Sequence, residues 1–308
     1  MTRAVVFAYH NVGVRCLRVL LAHRVEVPLV VTHADKPQET IWFNSVATTA
    51  ADYGIVSVAP DDPNMPALAD RIATLKPDFL FSFYYRKMLK ATLLSTAPRG
   101  ALNMHGSLLP LYRGRAPVNW AVLHGERETG ATLHYMTEKP DNGDIVAQMP
   151  VPILPDDTAG EVFDKVALAA EITLDRVLPM LIAGAAPRQP QDLSLGKYFG
   201  ERKPEDGTID WSRNATAIHN LVRAVAPPYP GAFTAVGGIA ARVLRTRMVD
   251  VGAPPTSTPS IAASGGRLLA RCGGGGTLAV LTLEIDGVPV NAHAFVDRFG
   301  VKSVPLGL

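Results

Sequence analysis

An α/β fold, with a doubly wound N-terminal domain and a smaller β-rich domain behind it, is what this sequence predicts, on three observations. Short β-branched runs alternate with helix-length segments over roughly the first 185 residues, the rhythm of strands joined by helical crossovers. Those runs are apolar almost throughout, as strands of a parallel sheet covered on both faces are. Beyond residue 206 the helices largely give way to short strands punctuated by Gly and Pro.

In chain order, residues 4–7, 27–31, 55–58, 79–83 and 101–104 read as strands, being short, apolar and bounded by polar or turn-forming residues. Between them residues 14–23, 42–53, 65–75 and 89–96 read as helices. After Met104 the rhythm changes to a helix over 118–123, two strand-like runs at 131–136 and 144–153, and a long helix over 158–182. Thr158 and Glu161 at its start have the spacing of a capping box, in which each side chain satisfies a backbone N–H of the first turn. Residues 183–206 are rich in Gly, Pro and charge and lack apolar periodicity, so they read as a linker. The expected domains are therefore 1–188 and 208–308, with 189–207 between them. The second carries one helix, 215–225, and strands at 232–236, 240–244, 267–271 and 278–284, which suggests a small β-barrel or sandwich. Residues 251–263 read as a surface loop.

Composition excludes several classes of function. Of 308 residues, 47% are hydrophobic and 19% charged, which rules out a largely disordered chain. A net charge of +2 is too small to draw nucleic acid or an anionic membrane by total charge. Cys16 and Cys272 form no C-x-x-C pair, which excludes a disulfide scaffold and a clustered-thiolate zinc site. No apolar run approaches the roughly 18 residues a membrane-spanning helix needs, and no secretory signal is expected from the short apolar stretch of residues 4–8. A soluble protein of the reducing cytoplasm, without membrane insertion and without a metal, is expected. The loop after the first strand has the single glycine Gly13 where a nicotinamide site shows G-x-G-x-x-G, and bulky Tyr9 and His10 would crowd a pyrophosphate.

Candidate chemistry concentrates in residues 103–117, NMHGSLLPLYRGRAP, at the C-terminal end of a predicted strand, where open α/β sheets bind ligands. Asn103 and His105 are two apart and project from one face of extended chain. An amide donor and an imidazole converging on one atom suit acyl transfer, the amide stabilising an oxyanion and the imidazole taking a proton. A strand-end pair that merely bonds the Gly-Ser turn would have the same spacing. Residues 137–144, TEKPDNGD, bring Asp141 and Asp144, either of which can orient His105, although Asp-Asn-Gly is also ordinary turn chemistry. His10, His124, His134 and His219 fall in no metal-ligand pattern. Ser107 lacks the nucleophile elbow of serine hydrolases. Arg113 and Arg115 offer bidentate donors to carboxylates or phosphates.

At this point the chain resembles the 10-formyltetrahydrofolate-dependent formyltransferases. The resemblance rests on NMHGSLLP at 103–110, YRGRAP at 112–117, TGATLH at 129–134 and DNGDIV at 141–146, followed by FGERKPED at 199–206, IDW at 209–211, HNLVRAV at 219–225 and PYPGAF at 228–233. It implies a Rossmann-like catalytic domain followed by a small β-barrel-like (OB-type) domain. It also implies that Asn103, His105 and Asp141 are catalytic, with 10-formyltetrahydrofolate as co-substrate. The implied folate contacts are Lys87, Met88 and Leu89 through backbone groups, Arg115, and the loop of Thr137, Glu138, Lys139 and Pro140.

Three features resemble the sugar-nucleotide branch of the family rather than the initiator tRNA enzymes: residues 7–10, FAYH; residues 82–86, SFYYR; and Arg115. The implied acceptor is UDP-4-amino-4-deoxy-L-arabinose. Some members carry an oxidative decarboxylase region as well; without one in these 308 residues, a stand-alone formyltransferase is expected. From Asp210 to Leu308 eight Arg and one Lys face four Asp and one Glu, a local +4, modest for a tRNA-binding module. A tRNA formyltransferase, a 10-formyltetrahydrofolate hydrolase using water in place of an amine, and a non-catalytic binder are the alternatives.

Overall fold

The computed structural model describes residues 1–35, 40–300 and 303–307 and divides into two compact units. The first comprises Met1–Pro117, Glu128–Val151 and Phe163–Gly200; the second comprises Val118–Arg127, Pro152–Val162 and Glu201–Leu308. The 189–207 stretch thus falls partly in each.

The first unit is built on the alternation read in the sequence. Its elements are β1 (Arg3–Ala8), α1 (His10–Ala22), β2 (Glu26–Val31), α2 (Val46–Asp52), β3 (Ser57–Val58), α3 (Pro66–Thr74), β4 (Phe79–Phe83), α4 (Ala91–Leu94) and β5 (Ala101–His105). Then follow β6 (Arg113–Gly114), α5 (Pro117–His124), β7 (Glu128–Tyr135), β8 (Ile145–Pro152), α6 (Ala159–Ala183) and β9 (Tyr198–Phe199); α5 beyond Pro117, the last residue of β8 and the first turn of α6 are assigned to the second unit. Seven strands form one sheet in the order β3-β2-β1-β4-β5-β7-β8. The first five are parallel, whereas β7 runs antiparallel to β5. This is the Rossmann-like domain, and its apolar strands supply Phe7, Leu29, Val31 and Leu80 to a core that α3 joins through Ile72.

Local chemistry sets the helix starts. The Ser45 hydroxyl accepts from the Thr48 N–H at 3.2 Å, so α2 begins at Val46 and leaves Trp42 and Phe43 outside the helix predicted over 42–53. The Lys90 N–H is taken by Asn64 Oδ1 at 2.8 Å, and α4 starts one residue later. The capping box of α6 forms, with Thr158 N–H to Glu161 Oε2 at 2.7 Å and Glu161 N–H to Thr158 Oγ1 at 3.3 Å.

The second unit contains α7 (Ala215–Val225), β10 (Ala232–Val236), β11 (Ile239–Asp250), β12 (Ser260–Ser264), β13 (Arg267–Arg271), β14 (Thr277–Ile285), β15 (Val288–Pro289), α8 (Ala292–Phe299) and β16 (Val304–Pro305). Its sheet runs β10-β11-β14-β13-β12-β16, every pair antiparallel. The sheet curls until its ends meet in a Val236–Leu306 bridge, a half-barrel around Trp211, Ile218, Val222, Leu278 and Phe295. The expected 251–263 loop is shorter than read, because Ile261 is buried and pairs with Ala270, turning 260–264 into a strand. Among the described residues no helix is long and apolar enough to cross a membrane.

Candidate active site

β5 places Asn103 and His105 on one face of the sheet. In the antiparallel register with β7, Asn103 lies opposite His134, and directly opposed residues share a face. Asn103 Nδ2 accordingly meets His134 Nε2 at 3.2 Å. His134 Nδ1 faces the Tyr135 carbonyl at 2.8 Å; a carbonyl only accepts, so Nδ1 carries the ring proton and Nε2 accepts from the Asn103 amide. That bond orients the amide and leaves its second N–H available.

The loop between β7 and β8 supplies the carboxylate. It opens and closes at one rung, the Tyr135 N–H donating to the Asp144 carbonyl at 2.9 Å. Gly143 has no room for a side chain, since a Cβ there would overlap the Tyr135 carbonyl oxygen. Asp141 stands at φ 55°, a left-handed conformation that needs support from its surroundings. Its Oδ2 accepts from the Gly114 N–H at 2.8 Å, and its Oδ1 lies 3.6 Å from His105 Nδ1 and 3.6 Å from His134 Nε2. The latter contact is beyond hydrogen-bond reach, so the shorter bond to Asn103 decides the role of His134. Of the two carboxylates read in this loop, Asp144 pairs instead with Arg188 at 3.6 Å on the surface.

Burial by itself would raise the Asp141 pKa, but the neighbouring His105 and His134 and the Gly114 N–H together outweigh it and hold the carboxyl well below the usual carboxylate range. A carboxyl whose pKa is depressed by folding adds stability that is present above its unfolded value of about 3.9 and is lost as pH falls through the folded value. The stability advantage of the native protein over Asp141→Asn, read from denaturant midpoints, is therefore expected at pH 7 and is expected to shrink below about pH 4. An advantage independent of pH would remove the ionised carboxylate as its source.

His105 donates from Nε2 to the Tyr112 carbonyl at 2.9 Å, which commits that nitrogen. At 3.6 Å the carboxylate contact does not saturate Nδ1, so the ring can take one proton there beside a carboxylate that stabilises the imidazolium. The loop between β5 and β6 that carries Tyr112 is pinned from below. Thr132 Oγ1 donates to the Ser107 carbonyl at 2.6 Å and accepts from the Leu109 N–H at 3.1 Å, while Gln148 Nε2 reaches the same hydroxyl at 2.8 Å. Ser107 is fully buried and donates to the Leu111 carbonyl at 2.6 Å, a structural hydroxyl. The site thus unites one amide N–H, one imidazole and one ionised carboxylate, the means to stabilise an oxyanion and move a proton.

Other residues read from the sequence lie elsewhere. Arg113 spends its guanidinium on protein oxygens, Asn142 Oδ1 at 2.9 Å and the Leu193 and Gly196 carbonyls at 3.2 and 2.9 Å, which corrects its reading as an anion donor. Arg115 is exposed, with its backbone N–H on the Phe199 carbonyl at 2.9 Å. Lys87 Nζ bonds the Pro60 and Asp61 carbonyls, Met88 is half exposed, and Leu89 is buried in the core. Thr137 donates to the Lys139 carbonyl at 2.9 Å; Glu138 and Lys139 are exposed and Pro140 is partly buried. His219 is a buried strut of the second unit, bonded to Thr246 and the Pro155 carbonyl. His134, which falls in no metal-ligand pattern, is a site residue the sequence does not single out; the polar Asn103 two positions before His105 is the signal that points to a partner across the sheet. Among the described residues no group of three or more His, Cys, Asp or Glu is arranged to hold a metal ion.

Comparison with known families and structures bears on the family and the fold. The formyl transferase family model matches residues 16–178, and the model of the formyl transferase C-terminal domain matches residues 202–300. Among solved structures, the chain is similar to the N-formyltransferase from Helicobacter canadensis, solved with folinic acid and dTDP-3-aminofucose, at 19% identity over 91% of this chain and 99% of that one, TM-score 0.73. It is similar to WlaRD, a sugar 3N-formyl transferase solved with dTDP and 5-N-formyl-THF, at 18% identity over 91% and 97%, TM-score 0.71. It is also similar to a 4-N formyltransferase from Francisella tularensis, at 20% identity over 75% and 91%, TM-score 0.61.

Proposed function

This chain belongs to the formyl transferase family, and on that premise we propose that it moves the formyl group of 10-formyltetrahydrofolate onto the amine of a nucleotide-linked amino sugar, UDP-4-amino-4-deoxy-L-arabinose in the first instance. The convergence of Asn103, His105 and Asp141 on one face of the sheet carries the reading. The sugar amine attacks the formyl carbon. The free Asn103 N–H and His105 stabilise the tetrahedral oxyanion, and His105 takes the proton lost by the amine, directly or through water, while Asp141 stabilises the imidazolium. The bond from carbon to N10 then breaks, and tetrahydrofolate leaves with N10 protonated. Lys87, Met88 and Leu89 through their backbone, Arg115, and Thr137, Glu138, Lys139 and Pro140 hold the folate. Catalysis resides in residues 1–188, and 208–308 form the accessory half-barrel.

The acceptor is the finer part of the proposal. Solved structures of similar fold contain folinic acid and dTDP-3-aminofucose, or were obtained in the presence of dTDP and 5-N-formyl-THF. Residues 7–10 and 82–86 resemble the formyltransferase part of the bifunctional polymyxin-resistance protein, whose product enters lipid A modification. At the C-terminal ends of β1, β2 and β3 a cavity of about 270 Å³ is lined by Tyr9, Thr32, His33, Asp35 and Ser57 among others. The Asp35 carboxylate, which accepts from the Tyr9 hydroxyl at 2.7 Å, stands past the end of β2, where α/β nucleotide sites place the acid that binds ribose hydroxyls. We expect Asp35→Ala to raise KM for the nucleotide sugar about tenfold, the scale of one lost hydrogen bond to a charged group, leaving KM for the folate unchanged. Steady-state titration of each substrate checks this, and a rise in the folate KM alone would move the nucleoside elsewhere.

Tetrahydrofolate release, followed with UDP-4-amino-4-deoxy-L-arabinose, dTDP-3-aminofucose, charged initiator tRNA or no acceptor, tests the function. Release that depends on the aminoarabinose nucleotide supports it. Dependence on tRNA makes the protein a translation-initiation enzyme, and release without acceptor makes it a hydrolase.

A further inference from the structure

Residues 189–200, read from the sequence as part of a spacer, run along both loops of the candidate site. Gln189 and Ile145 exchange backbone hydrogen bonds at 2.8 and 2.9 Å. Two residues on, Gln191 Nε2 donates to the Asp141 carbonyl at 3.0 Å and the Gly143 carbonyl at 2.6 Å, clasping the turn that presents the carboxylate. Next come the Leu193 and Gly196 carbonyls that hold Arg113, whose other nitrogen holds Asn142 within that turn. Gly196 presses so closely that a Cβ there would overlap the Pro110 carbonyl oxygen. β9 then pairs with β6, and Phe199 stacks on Tyr112 with ring centroids 5.0 Å apart. The Tyr112 carbonyl is the one that fixes His105.

Two features separate this clasp from ordinary loop packing. Asp141 holds a left-handed φ of 55°, a conformation a non-glycine residue keeps only when its surroundings enforce it. Gln191 Oε1 is buried with no hydrogen-bond partner, a destabilising feature that an apolar side chain of similar volume would avoid. The amide is kept for what its nitrogen does.

We propose that Gln191 is a positioning residue, which holds the Asp141–Gly143 turn so that the Asp141 carboxylate faces His105, and that the 189–200 strap braces both halves of the site. The proposal rests on the formyl-transfer reading for its kinetic test. In Gln191→Ala, kcat is expected to fall about tenfold, with KM for both substrates within twofold. In an Asp141→Ala background the same substitution is expected to change kcat by less than twofold, because residues acting through one group are non-additive. Gln191→Glu, the same size but without two N–H donors, is expected to lose as much as Gln191→Ala and serves if the alanine variant does not fold. A readout independent of turnover is the titration of the Asp141 carboxyl by NMR, expected to move up toward the ordinary range in either variant. If the native protein transfers no formyl group, the function fails, while the titration still tests the clasp. An undiminished kcat, a loss that appears in full in the Asp141→Ala background, or an unmoved Asp141 titration would overturn it.

Discussion

His105→Ala and Asp141→Ala are each expected to lower kcat for formyl transfer by two or more orders of magnitude at saturating substrates, the scale of lost general acid–base catalysis. His105 is the only imidazole of the cluster with a nitrogen facing a carboxylate and not already satisfied by another donor. Without it, the attacking amine has no group to take its proton as the tetrahedral adduct forms. Without Asp141, the ring lacks the charge that stabilises its imidazolium form. Folding is expected to persist in His105→Ala, because His105 contributes one hydrogen bond, to the Tyr112 carbonyl, worth about 1 kcal/mol. Asp141→Asn separates charge from shape: it keeps an acceptor for the Gly114 N–H yet is expected to lose nearly as much turnover. Rates near the native value in any of the three, with circular dichroism showing a folded protein, would remove these roles.

Asn103→Ala is expected to cost about 10² to 10³ in kcat with little change in KM, the scale of deleting one oxyanion-hole donor. The amide is already oriented by His134 before substrate arrives, so its free N–H stabilises charge that develops only in the tetrahedral state, without reorganisation at that moment. Asn103→Asp, similar in shape but negative, should be at least as slow, since it sets a charge against the oxyanion. His134→Ala leaves the amide in place but unanchored and should cost less than Asn103→Ala. A change confined to KM in Asn103→Ala would mean that the amide binds ground-state substrate.

The doubly wound sheet was legible because parallel strands buried on both faces are apolar almost throughout, and residues 4–7, 79–83 and 101–104 carry that signature inside β1, β4 and β5. Asn103 and His105 were legible together because side chains two apart in a strand share a face. Their setting was not. That His134 stands opposite Asn103 depends on the β5–β7 register, and a slip of one residue would send His134 to the other face. Turn chemistry alone does not choose between Asp141 and Asp144, both in the same loop; the family resemblance singles out Asp141, and the left-handed φ there and its bond to the Gly114 N–H give the physical reason. Gln191 left no trace, because its partners are backbone carbonyls some fifty positions away in a stretch whose Gly, Pro and charge resemble a spacer. Arg113 shows the converse: a guanidinium suited to anions is consumed by the fold.

Transfer of a ¹³C-labelled formyl group from 10-formyltetrahydrofolate to UDP-4-amino-4-deoxy-L-arabinose, followed by NMR with native protein and with His105→Ala, is the most direct measurement. The expected result is a formamide carbon on the sugar nitrogen that appears with native protein and at least a hundredfold more slowly with the variant. Labelled formate in place of formamide, or formamide formed equally fast by His105→Ala, would contradict the account.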